Sequence, residues 1–292
     1  MGRYGLRREA WRALALCGAL FAATSCAVRD ADGGQQDVST TAVLDAARAH
    51  DWTIVSRAAK LEPVSPSAVA AALQELDPEA REIVASAVAA QGRPEQGALM
   101  VHLTGDPSVQ VQTIAARALG KLASPPPANV LLAAVPARDN PFVRRQLYLA
   151  VGRTGERDAL APLRAFAAAE RDPDAALDAE VAAIRLGAAA EQARFLDRVR
   201  KAEPRDALAV RERLLYVGDP ALAKGMLRWL SNEASVMRLG SDRDPKMARM
   251  CDIAIWTAYQ LGVQFQIEPA HLANYDEAVR ANALRALSAL RG

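Results

Sequence analysis

NPFVRRQLYLAVGRTG, residues Asn140 to Gly155, opens on a helix-capping Asn-Pro and closes on glycine. A second stretch, DEAVRANALRALSAL from Asp276 to Leu290, superimposes on it without gaps. With Asp276 set over Asn140, Val279 falls on Val143, Arg280 on Arg144, Ala283 on Leu147, Ala286 on Ala150 and Leu287 on Val151. The same frame fits from Ser108, giving Val111, Ala115, Ala118, Leu119 and Leu122, and from Asp77, giving Ala80, Val84, Ala87 and Val88. Asp172 to Gly187 fits more loosely. Small or apolar residues recurring at i, i+4, i+7 and i+8 line one face of a helix.

The frames begin at 77, 108, 140, 172, about 203, about 247 and 276. Steps are 29–32 residues except one near 44. Asp-Pro or Asn-Pro opens several frames, because Asp and Asn accept the free N–H groups of a first helical turn and proline tolerates its first position. Glycine closes most of them, including Gly92, Gly120 and Gly155. Between frames lie further amphipathic segments: Asp158 to Glu170, Ala190 to Ala202 and Asp219 to Asn232. Each unit therefore reads as a helix pair, and a pair buries its apolar faces only by stacking on neighbours. The expected fold is all-α: a solenoid of about seven helix pairs over residues 41–292, with Thr41 to Leu61 as a first, capping helix. Ala118, Leu119, Ala150 and Val151 are expected between helices. No strand run is evident.

These frames resemble the HEAT repeats, in particular the short bacterial type also found in phycobilisome lyases. The residues carrying the resemblance are Asn140-Pro141-Phe142-Val143-Arg144 with Ala150-Val151-Gly152, and Val279-Arg280 with Ala286-Leu287. The resemblance implies a scaffold for a protein partner and no cofactor. A chromophore lyase or isomerase is the enzymatic alternative it suggests, by analogy of fold alone.

The N-terminus reads as an address. Arg3, Arg7, Arg8 and Arg12 precede an apolar run, Ala13 to Ser25, with the length of a signal-peptide core and too short to span a bilayer. Ala23-Thr24-Ser25-Cys26 resembles a bacterial lipobox, although Ala23 stands where that family favours leucine. The resemblance implies a signal peptide over 1–25, lipid on Cys26, and a polar tether over 26–40. Ala27 follows in place of the inner-membrane retention aspartate, so the expected address is the periplasmic face of an outer membrane. Cys17 would leave with the signal and Cys26 would carry lipid. Cys251 would then be a lone buried thiol, and no intramolecular disulfide could form.

The chain offers little toward catalysis or metal binding. His50, His102 and His271 sit in no metal-ligand spacing, and no nucleophile elbow or phosphate loop occurs. A net charge of +2, with arginines interleaved among acids, argues against a nucleic-acid surface. Arginine–acid neighbours on such helices read as exposed ion pairs, and Arg144 as a surface residue. The irregular step around 232–262 is the exception. Its loop, Val236 to Pro245, carries Arg238, Asp242 and Arg243, and the following helix carries Trp256 and Tyr259 three residues apart. Aromatics make up only 5% of the chain, so their concentration here marks a candidate partner-binding patch. A cell-wall polysaccharide module is a third reading, with Trp229, Trp256 and Tyr259 as the stacking rings. Trp256 and Tyr259 could equally fill core beside the loop.

Overall fold

The computed structural model describes residues 33–239, 246–269 and 271–290. The signal, Cys26 and the loop residues Asp242 and Arg243 lie outside them. All seven frames begin a helix. In chain order these are α4 (Pro78–Gln91), α6 (Val109–Leu119), α8 (Pro141–Thr154), α10 (Pro173–Arg185), α12 (Ala207–Val217), α13 (Met250–Gln260) and α14 (Glu277–Ala289). Partner helices α5 (Gly97–Leu103), α7 (Ala128–Ala134), α9 (Leu160–Ala169) and α11 (Ala189–Lys201) alternate with the first five. The caps follow the sequence. The carboxylate oxygens of Asp77, Asp172 and Asp276 accept from Ala80, Ala175 and Val279 N–H at 2.8–2.9 Å, and Asn140 accepts from Phe142 N–H at 3.0 Å. Gly92 and Gly155 end their helices in the left-handed conformation, with φ of 61° and 74°. Gly120 ends α6 in the right-handed one, at φ −63°.

The described residues form two compact units, divided between Ala182 and Ala183. In the first, α4 packs on α6 and α6 on α8, while α5 and α7 lie against α6 and α8. This is the stacking of an α-solenoid. The seams hold small residues: Ala85, Ala87, Ala115, Ala116 and Ala150 are fully buried, with Val143, Leu147, Leu119 and Val151. Ala118 departs from expectation and stays partly exposed.

The N-terminal cap is not one helix. α1 (Gly33–Arg48) ends before His50, whose backbone is left-handed at φ 55°, and α2 (Thr53–Ala58) starts afresh. The Asp51 carboxylate accepts from Thr53 N–H at 2.9 Å, which favours the turn over a continued helix. α1 also begins inside the stretch read as tether. Ser39 and Thr40 are buried, and Thr40 Oγ1 accepts from Ser65 N–H at 2.9 Å, just before α3 (Pro66–Ala72). A tether reading that follows apolar periodicity alone misses polar residues buried with a partner.

In the second unit, Pro220–Ser231 is a 3₁₀ helix rather than an α-helix. Ala223, Met226 and Trp229, three apart, are all but inaccessible, as the three-residue turn requires. This 3₁₀ helix packs on α11, α13 and α14. The long step contains two short strands, β1 (Ser235–Leu239) and β2 (Lys246–Arg249), paired antiparallel with an irregularity between Ser235 and Met237. A single short hairpin lacks the periodic run that announces a strand in sequence. Among the described residues no helix is long and apolar enough to cross a membrane.

Candidate functional site

The site is built on α13 and the segments flanking it in the second unit. At the start of α13, Asp252 is completely buried and its carboxylate organises three chain segments. Arg249 binds it through Nε at 2.9 Å and a terminal nitrogen at 3.0 Å, and Arg249 N–H donates to it at 2.9 Å. Tyr275 N–H donates to Asp252 Oδ1 at 3.0 Å. The same Arg249 donates to the Tyr275 carbonyl at 2.8 Å. Asn274, its amide oriented by these neighbours, donates to Met247 O and to Asp252. One carboxylate thus fixes the root of the hairpin, the first turn of α13 and the 274–275 loop together. Glu233 sits between Arg249 and Arg280 and ties α14 to the same cluster. Cys251 beside it is buried, and burial pushes its thiol pKa up, so it is an apolar filler rather than a nucleophile.

Beyond this polar root, α13 presents an aromatic array. Trp256 and Tyr259 are stacked, with ring centroids 5.5 Å apart and planes at 28°. Phe265, past the end of the helix, lies 6.4 Å from Tyr259. All three are partly exposed, while Ile253, Ala254, Ile255 and Ala258 on the other faces are buried. The pair is therefore neither wholly core nor wholly surface. Met247 on β2 and Ile267 beyond Phe265 add exposed apolar surface in the same unit, at 40% and 46% exposure. Arg238 is exposed on β1.

The structure brings together Trp256 and Tyr259 from the sequence reading and adds Phe265, Arg249, Asp252 and Tyr275. It removes Trp229. That ring is 1% exposed and its indole N–H donates to Val199 O at 2.9 Å, so it cannot stack on a sugar. Arg249 and Asp252, three apart with opposite charge at a helix start, were the legible signal for the polar root. Phe265 had none, because its place beside Tyr259 depends on the chain turning back after Gly262. Among the described residues no group of three or more His, Cys, Asp or Glu side chains could hold a metal ion.

Residues 98–184 match the family model described as HEAT repeats. The chain carries HEAT repeats over that stretch. Neither a curated protein nor a solved structure gives a significant match to the chain. The matched stretch runs from α5 to α10, and the α13 site lies outside it. HEAT repeats are commonly scaffolds for protein interaction.

Proposed function

We propose that this HEAT-repeat protein is a non-catalytic scaffold of the cell envelope, held to a membrane by lipid on Cys26. Its α13 array engages a protein partner. The observation carrying the reading is the partly exposed Trp256–Tyr259 stack with Phe265 beside it, three neighbouring rings gathered at one surface. Rings of this kind, rigid and amphipathic, form the energetic centres of protein interfaces. The buried Arg249–Asp252 root supports it by pre-ordering the surface, which lowers the entropy cost of association. The Ala23-Thr24-Ser25-Cys26 stretch supports the anchor, and Ala27 the outer-membrane address.

The test compares capture from solubilised envelope by the parent chain and by a Trp256→Ala/Tyr259→Ala double variant. A specific set of proteins retained by the parent and lost from the variant, at unchanged circular dichroism, is the expected result. Identical capture by a folded double variant would place the working surface elsewhere.

A further inference from the structure

The seams between successive frames of the first unit are not alike. From α4 to the start of α6, Arg81 Nε donates to Asp106 at 2.9 Å and Ser108 Oγ donates to Glu82 at 3.2 Å. From α8 to the next frame, Arg144 holds Glu170 with two bonds and Arg145 Nε donates to Asp178 at 2.7 Å. The residues four and five places into these frames thus bond forward onto the next. Those of α6 do not. Gln112 stands at the place of Arg81 and Arg144, and its amide donates backward to Asp106 O at 2.7 Å. Thr113 stands at the place of Glu82 and Arg145, and its hydroxyl donates within α6, to Val109 O at 2.8 Å. The carboxylate is missing as well. Two places before the next frame, where the other seams put Asp106 and Glu170, the chain has Arg138. Its guanidinium turns back to neutral acceptors, Thr104 Oγ1 at 2.8 Å and Val101 O at 3.3 Å. Burial without a carboxylate pulls its pKa down. From Val109 to Asp139 no side chain makes an ion pair among the described residues, and Arg117, Lys121 and Arg138 outnumber Asp139.

We infer that the α6–α8 seam is the joint of the first unit: the stack opens there first, and the helices on either side of it act as two blocks, α4 to α6 and α7 to α8. In a repeat array, stability is approximately a sum over units and nearest-neighbour interfaces, so the array divides where an interface is weakest. The seams on both sides are clamped by an arginine on a nearly inaccessible carboxylate, a bond that is costly to break. The α6–α8 seam has only bonds to neutral acceptors and Arg117 over the Phe142 ring, 5.5 Å from its centroid. Its apolar packing is intact, with Val111, Ala115, Leu119, Val143 and Leu147 all fully buried. It is therefore a joint within a folded stack. The partner helices divide the same way, α5 lying against α6 and α7 against α8. A stack jointed at one seam can change its curvature there while the pairs on either side stay rigid. The inference is independent of the α13 surface.

The experiment is native-state hydrogen exchange of the purified full chain, read by mass spectrometry across sub-denaturing urea. Peptides from α4 to α6 should follow one exchange isotherm and peptides from α7 and α8 another, with opening constants roughly ten-fold or more apart. A Gln112→Arg/Arg138→Glu variant rebuilds the clamp of the neighbouring seams. It should bring the two isotherms to within about three-fold of each other. A single isotherm from α4 to α8 in the parent, or a division at the α4–α6 seam instead, would overturn the inference. So would a folded double variant whose two blocks stay as far apart as in the parent. Should the double variant fail to fold, the parent isotherms decide alone.

Discussion

At the scale of single residues, the arginine four places into a frame is a structural strut. Arg144 donates bidentately to Glu170 at 2.7 and 2.8 Å and reaches back to the carbonyls of Arg138 and Asp139. Arg81 binds Asp106 at 2.9 Å and Leu76 O at 2.7 Å, and Gln112 in the same place binds Asp106 O at 2.7 Å. The carboxylate partners are nearly inaccessible: Glu170 is 4% exposed, Asp106 6% and Asp178, bound by Arg145, 2%. The reading of these pairs as exposed, and of Arg144 as a surface residue, is therefore corrected. Burial raises both the strength of such a pair and the cost of breaking it. The recurrence of Arg81, Gln112, Arg144 and Arg280 at one place in the frame was visible in the sequence. What was invisible is that the carboxylate partners of Arg81 and Arg144 sit about 25 residues on, just before the next frame, and that of Arg280 far upstream at Glu233. Arg144, above all, holds the Glu170 carboxyl down at about 2, against an ordinary 4.5. A depressed carboxylate contributes stability above its unfolded value, and that stability is lost as pH falls through the folded one. Glu170→Gln should therefore cost roughly 2–3 kcal/mol at neutral pH. The deficit should shrink below about pH 4.5 and vanish near pH 2. Urea titrations across that range check it; a deficit independent of pH would mean that packing, not charge, sets the cost.

At the scale of elements, helix positions were legible because frame caps and small-residue periodicity agree, whereas helix type was not. Leu222, Met226, Trp229 and Leu230 satisfy the α spacing, and Ala223, Met226 and Trp229 satisfy the 3₁₀ spacing equally well. All five are buried in the 3₁₀ helix, and contact with α11 is close. A methyl group on Gly225 would stand 2.9 Å from Val199 Cγ1 and 3.2 Å from both Val199 Cβ and Leu196 Cδ2. Val199 is β-branched and fully buried, so it cannot swing aside. Gly225→Ala should therefore destabilise the protein by about 1–3 kcal/mol through overpacking, although alanine is the better helix former. Thermal unfolding measures this. A neutral or stabilising result would show that α11 and the 3₁₀ helix can separate without loss. The hairpin teaches the complementary lesson. The broken repeat step announced an insertion at the right place, and the two-residue alternation needed to recognise its strands is too short to read. Its anchorage depends on Asp252, whose contacts run 23 residues ahead to Tyr275.

At the scale of the whole molecule, composition and architecture agree. A hydrophobic fraction of 51% with 5% aromatics favours helices close-packed through alanine, leucine and valine, and each unit is built so. Such a surface gives few rings to recognition, and the α13 array gathers three of them, Trp256, Tyr259 and Phe265, in one place. Cys251 lies buried in that packing, so the fold owes nothing to an intramolecular disulfide among the described residues. Under the proposed anchoring, where the scaffold works depends on Cys26. In the proposed anchor its sulfur carries a diacylglyceryl group and its freed amine a further chain. Each buried methylene adds about 0.8 kcal/mol, so one chain binds marginally and several bind firmly. Mass spectrometry of the mature protein should find an acylated N-terminal Cys26 and no peptide preceding it. Cys26→Ser should shift the protein from the membrane pellet to the soluble fraction, with its helical circular dichroism intact, because the repeats fold without the lipid. Ala27→Asp should keep the lipid and move the protein to the inner membrane of a two-membrane cell. An unmodified mature N-terminus at any other residue would remove the anchor and leave an exported, freely diffusing scaffold. A pelleted Cys26→Ser variant would instead assign membrane association to the folded repeats themselves.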